Sequence, residues 1–126
     1  MPAHVIRNWR EETPYIGHES AIIWSLLRSA GAKGEKRDLH VMRTMTGIVK
    51  HALQPRKQSD YHSHADIEQV YFILKGAGVM LIDGERYPVR EGDVVYLPPH
   101  VMHRMINESD DWVEHLIISC PVTSSE

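Results

Sequence analysis

His62 and His64 stand two residues apart, and an extended chain sends alternate side chains to the same face. Two imidazoles on one face can grip a cation, and neutral imidazole suits zinc, iron, nickel and copper. Taken alone, such a pair is more often two polar residues on a solvated strand. What raises its interest is a third histidine, His103, placed just after the Pro98-Pro99 stop in a later segment that hairpins would carry back toward the first. The remaining histidines are His4, His18, His40, His51, His100 and His115, spread along the chain rather than gathered as a tag. His4, His18 and His40 carry no positional argument. The one cysteine, Cys120, excludes an internal disulfide and a cysteine zinc site, and reads as a small packed residue.

The elements that must position these groups are strands. From Leu39 onward short β-rich runs alternate with turn signals. Leu39–Leu53 supplies one long bent strand interrupted at Gly47, and Gln69–Leu74 ends at Lys75-Gly76. Val79–Ile82 and Arg86–Val89 flank Asp83-Gly84, the strongest short hairpin signal in the chain. Val94–Leu97 is a buried strand closed by two prolines, which cannot sit inside a central strand. Met102–Ile106 and Trp112–Ser119 complete the set. Ser20–Arg28 leans to strand through Ile22, Ile23 and Trp24, although Ser20 and Gly31 would also cap a helix. Residues 1–19 read as an irregular or edge-pairing arm, and residues 39–119 as the core of one all-β domain covering 1–126. Asn107-Glu108-Ser109 fits the glycosylation pattern by chance.

Two stretches then carry a family resemblance. His62–Gly76 resembles the first cupin motif: H-x-H, three or four residues, an acidic ligand, six residues and a glycine. Gly92–Asn107 resembles the second, G-x5-P-x-G-x2-H-x3-N. The resemblance implies a small double-stranded β-helix (jelly-roll) barrel, usually dimeric, that holds one divalent metal ion (Fe, Mn, Zn or Ni). It also implies His62, His64 and His103 as ligands, with a fourth near residues 68–69. Two positions depart from the pattern. Counting back from Gly76, the acidic position falls on Gln69, and the usual second-motif glycine is His100.

Adjacent strand residues face opposite ways, so only one of Glu68 and Gln69 can look inward. The count favours Gln69, with Tyr71 and Ile73 on its face; Glu68 remains the alternative if a bulge after Asp66 shifts the phase. Three imidazoles and an amide would leave a dipositive charge uncompensated, giving a strong Lewis acid that attracts anions. Such a His3Gln set is also similar to that of cupins that open unsaturated uronates. Tyr71 is a candidate for proton transfer if the metal and burial lower its pKa. Arg43 and His51 on the long early strand, Met105 in phase with His103, and His115 on the last strand are candidate pocket residues. An arginine fork suits a carboxylate.

With 42% hydrophobic and 25% charged residues and a formal charge of −3, the composition argues against nucleic acid or anionic lipid as partner. No apolar run approaches the ~20 residues of a spanning helix, and Met1–Arg7 has no signal core, so the expected compartment is the cytoplasm. The expected activity is isomerisation, elimination or ring opening of a small anionic, oxygen-rich substrate such as a sugar acid or hydroxy/keto acid. Competing readings are an Fe- or Mn-dependent dioxygenase and a non-catalytic small-ligand or metal-binding module. A homodimer is expected, in which Val5, Ile6, Trp9 and Ile22–Leu27 cover a neighbour's sheet edge.

Overall fold

A computed structural model describes residues 4–35 and 37–122. Ten strands follow in order: β1 (Tyr15–Gly17), β2 (Ala21–Ser29), β3 (His40–Met42), β4 (Gly47–Leu53), β5 (Ile67–Lys75), β6 (Ala77–Ile82), β7 (Glu85–Arg90), β8 (Val94–Leu97), β9 (His103–Ile106) and β10 (Val113–Pro121). They form two sheets. The larger runs β1-β2-β4-β10-β5-β8, with β3 alongside β2, and the smaller runs β7-β6-β9. No helix among the described residues is long and apolar enough to cross a membrane. The all-β barrel expected from the sequence is the architecture found.

The inward faces of the sheets close on Ile23, Leu53, Ile73, Met80, Leu97, Met105, Val113 and Ile117, all buried. Alternation along β10 makes this legible: Val113, His115, Ile117 and Ser119 are buried while their neighbours are half-exposed. The long strand expected over Leu39–Leu53 is broken by a bend, leaving β3 and β4 as separate pieces. The Asp83-Gly84 turn forms as expected, with both residues at positive φ, +46° and +84°.

Several motif residues prove to be structural. Gly76 adopts φ +84°, and a Cβ there would stand 2.4 Å from the Trp112 carbonyl oxygen. The turn between β5 and β6 therefore requires a bare backbone. His100, where the second motif has glycine, keeps a left-handed φ of +72°. The turn thus retains its shape despite carrying a side chain, at some conformational cost. Asn107 is fully enclosed. Its Nδ2 donates to the carbonyls of Leu53, Gln54 and Asp111, and its Oδ1 accepts from the Ser109 amide and hydroxyl. One amide so ties the end of β4 to the turn before β10.

The arm lies on its own barrel. A short 3-10 turn, Trp9–Glu11, is capped by the Asn8 side chain. Trp9 then meets Trp24 edge to face at 5.2 Å, and the buried Lys50 ammonium lies 4.0 Å and 4.4 Å from the two indole centroids. Glu114 completes the cation's surroundings at 2.7 Å. Trp9 is therefore spent within its own chain rather than on a neighbour's edge, while Ile6 and Ile16 stay exposed.

Replacing Asn107 by alanine strands several buried carbonyls without donors. The expected cost is about 3 kcal/mol, read as a lower urea midpoint with an unchanged slope.

Candidate metal centre

His62 and His64 lie in the extended connection between β4 and β5, held there by backbone hydrogen bonds. His62 and His103 exchange both bonds, His62 N–H to the His103 carbonyl at 3.1 Å and His103 N–H to the His62 carbonyl at 2.8 Å. The His100 N–H donates to the His64 carbonyl at 2.6 Å. These rungs fasten the H-x-H segment to the start of β9, and the imidazole nitrogens of His62, His64 and His103 fall within 4.8 Å of one another.

The protonation pattern follows from partners that can only accept. His103 Nδ1 is 3.1 Å from the Val101 carbonyl, and His62 Nδ1 is 3.1 Å from the Asp60 carbonyl. Each Nδ1 therefore carries the proton and each Nε2 a lone pair. Nε2 of His64 and of His103 is buried without a hydrogen-bond partner among the described residues, as is Gln69 Oε1. Buried lone pairs facing no donor are what a divalent cation satisfies, so the residues present fit a metal. A second cluster, His18, Asp60 and His62, is already accounted for by hydrogen bonding: Asp60 Oδ1 is 2.8 Å from His18 Nδ1 and Oδ2 is 3.5 Å from His62 Nδ1. Asp60 thus stands behind two imidazoles and orients them, the usual office of a carboxylate behind a metal-binding histidine.

Around this group the rings close a circuit. His62 stacks on His18 at 5.2 Å, His18 meets His51 at 5.4 Å, and His51 meets His115 at 5.2 Å. His115 stacks on Tyr71 at 5.0 Å, Tyr71 meets His103 at 6.0 Å, and His103 returns to His62 at 4.5 Å. Beside the circuit lies a cavity of about 200 Å3, walled by His18, His51, Gln69, Arg28, Thr46 and Ser119 among others. Its wall includes His18 and His51 but none of the three clustered imidazoles, so it adjoins the centre through His18.

The structure sorts the expected site residues. Gln69 faces the cavity, its Nε2 donating to Ser119 Oγ at 3.0 Å. Glu68 lies on the opposite face, where its carboxylate accepts from the exposed Tyr96 hydroxyl at 2.8 Å. His51 and His115 both join the ring circuit. Two expectations fail on position. Arg43 is exposed in the bend between β3 and β4, because the expected strand is broken there, and lines an adjoining hollow with Lys33 and Thr44 that shares Arg28 and Thr46 with the cavity. Met105 shares the phase of His103 but packs in the closed core opposite Met80, so it is not a wall of this cavity. For Tyr71, burial raises the phenol pKa, with the Asp60 carboxylate adding to the rise, so any lowering has to come from a bound cation.

Sequence reasoning missed His18, Asp60 and Arg28. His18 sits at φ +50° in the turn between β1 and β2, and the polar turn Gly17-His18-Glu19-Ser20 was the one local trace of it. A histidine backed by Asp60 on the cavity wall is an arrangement able to exchange a proton with a bound acid.

Burial holds the deeper rings neutral. It pushes His51 down to about 2, helped by His115, His18 and His62, and His115 down to about 3, helped by Lys50. Burial also takes His103 to about 4, against the opposing Val101 hydrogen bond, and lowers His64. These folded values lie below the unfolded histidine value near 6.5, so the unfolded chain binds more protons in acid. The stability from neutral burial is fully present above pH 6.5 and is lost as pH falls toward the folded values. Metal-free protein should lose up to about 1.4 kcal/mol per pH unit for each of the three deepest rings, seen as a urea midpoint falling between pH 6.5 and 5. A flat midpoint over that range would show that the rings are not buried neutral.

Comparison with known proteins agrees with the architecture. The cupin domain family model matches residues 49–119, more than half of the chain. An uncharacterised protein of Methanocaldococcus jannaschii is 32% identical over 113 residues, 90% of this chain and 83% of that one. Shorter matches join the chain to a glucose-6-phosphate isomerase of Pyrococcus abyssi, 45% identical over 40% of this chain and 30% of that one. A 3-hydroxyanthranilate 3,4-dioxygenase of Jannaschia is 36% identical over 58% of this chain and 39% of that one. In both of these, the match spans well under half of the relative's length. A Cupin 2 conserved barrel domain protein of Salinispora arenicola superposes with a TM-score of 0.73 at 20% identity, over 98% of this chain and 92% of that one. Two motifs, a two-sheet barrel and a family match that includes His51, His62, His64, Gln69, His103 and His115 lead to one statement: this chain belongs to the cupin domain family.

Proposed function

We propose that the chain is a metal-dependent enzyme acting on a small anionic, oxygen-rich substrate, a sugar acid or a hydroxy/keto acid, by isomerisation, elimination or ring opening. The observation that carries this reading is the set of buried, unpartnered atoms His64 Nε2, His103 Nε2 and Gln69 Oε1. A divalent ion held by His62, His64, His103 and Gln69 would supply Lewis acidity toward a substrate oxygen.

The chain's own residues provide the rest. All four donors are uncharged, so the site draws an anion and does not repel it. Ser119 fixes the Gln69 amide, and Asp60 fixes His62 and His18. Tyr71, kept protonated by burial, offers a proton or a wall, and the His18–Asp60 pair on the cavity side is oriented to exchange one. The likeness to the Pyrococcus isomerase supports the isomerase reading over part of the chain. The dioxygenase likeness supports a second reading, in which the same imidazoles hold redox-active iron.

Protein purified without nickel affinity should carry about one divalent ion per chain. His62→Ala, His64→Ala or His103→Ala should each lower metal content at least tenfold, and retention of the metal in all three would overturn the reading. Bound iron with oxygen uptake on a candidate acid would replace the isomerase reading with the dioxygenase one. Tight ligand retention without turnover across a broad acid panel would instead mark a binding module.

We infer further that two copies pair. Exposed Phe72, Val94 and Tyr96 on the outer face of β5 and the edge strand β8 support it. Sedimentation should give a dimer, and a monomer at high concentration would refute the pairing.

A further inference from the structure

The buried polar atoms without partners among the described residues are His64 Nε2, His103 Nε2, His115 Nδ1, Gln69 Oε1 and Arg28 Nε. Arg28 Nε is the one that belongs to a permanently charged group: it carries a proton and meets no acceptor. Arg28 makes no ion pair or side-chain hydrogen bond among the described residues. Arg7, Arg37, Arg56 and Arg86, by contrast, each face a carboxylate. A guanidinium kept partly from water with no counter-charge is costly unless something else satisfies it.

Its surroundings are shaped for that purpose. Across the larger sheet Arg28 lies opposite Gly47, Gly47 opposite Ser119, and Ser119 opposite Gln69, one row over four strands. Gly47 contributes no side chain, and the Arg28 stem fills the space it leaves. A Cβ at position 47 would stand 3.3 Å from Arg28 Cδ and Nε. The guanidinium thereby reaches across β4 toward Ser119 and Gln69 and lines the same cavity as His18 and His51. Thr46 and Ser119 add hydroxyls beside it, and Arg28 is the one lysine or arginine among the lining residues. A single fixed positive charge with a forked donor suits a monoanionic carboxylate better than a phosphate dianion.

We propose that Arg28 is the specificity residue of this cavity, binding the carboxylate of a small hydroxy or keto acid whose remaining oxygens face Gln69, His51 and His18, the side of the cavity that adjoins the His62–His64–His103 group. The arginine end stands on its own observations, and the imidazole end rests on the function proposed above. The ligand is thus oriented end to end, with its acid group at Arg28 and its other oxygens toward Gln69, His51 and His18.

The test measures acid binding and metal content separately on the same preparations. Calorimetry with glycolate, pyruvate and galacturonate should detect binding of at least one acid to the native chain, with galactose, the neutral counterpart, not bound. Arg28→Met, which keeps the stem and removes the fork, should weaken that acid at least tenfold and leave metal content unchanged. Arg28→Lys should restore part of the loss. Gly47→Ala, which displaces the stem without removing charge, should weaken the acid as well. Thermal melts close to the native value establish that each variant is folded. The proposal is overturned if no acid binds, if Arg28→Met stays within twofold of the native chain, or if inorganic phosphate binds through Arg28 more tightly than every acid. Arg28-dependent binding in protein that carries no metal would sink the metal reading and leave this one standing. Loss of metal upon His103→Ala with acid binding indifferent to Arg28 would do the reverse.

Discussion

The chemistry of this barrel depends on a short backbone ladder. The reciprocal hydrogen bonds between His62 and His103, with the His100 to His64 bond beside them, join two segments that otherwise belong to different parts of the chain. Without them the H-x-H segment would be an irregular crossing between β4 and β5, and three imidazoles would have no reason to converge. The ladder in turn needs the left-handed turn at His100 and the anchoring of Met102 to Asp83, whose amide and carboxylate both bond to Met102. The Asp83-Gly84 hairpin, far from the site in character, is thus part of what holds His103 in register.

Burial then determines what the converged rings can be. Imidazoles drawn out of water favour their neutral form, and acceptors behind Nδ1 choose the tautomer. The result is a cavity whose Gln69, His18 and His51 side lies across the row Arg28–Gly47–Ser119–Gln69 from one half-buried cationic fork.

Much of this was legible in the sequence, for local reasons. Asp83-Gly84, the Pro98-Pro99 stop and alternation along Val113–Ser119 gave strands close to those observed, and the H-x-H spacing with His103 gave the imidazoles. Phase counting back from Gly76 put Gln69 on the inward face and Glu68 outside, as the Tyr96 contact bears out. What escaped was set by distant contacts. His18 lies in the turn between β1 and β2 and Asp60 in the irregular connection between β4 and β5, and neither stretch carries a periodic signal. Arg28 ended a run read only weakly as a strand, so its face was not assigned. Arg43 was chosen instead because the break between β3 and β4 leaves little trace in composition. For Tyr71 the sequence does not show that burial and the Asp60 carboxylate both raise the phenol, leaving only a cation to lower it.

The indole clasp on the barrel's outer side has a further bearing. Lys50 sits on β4 next to His51 and pairs across to Leu116 next to His115, so the cation gripped by Trp9, Trp24 and Glu114 backs directly onto the two most deeply sunk imidazoles. Docking of the leading segment and stiffness of that stretch of wall are therefore one event. Two of the three tryptophans report on it from outside, giving the molecule its own optical gauge of whether the wall behind the site is intact.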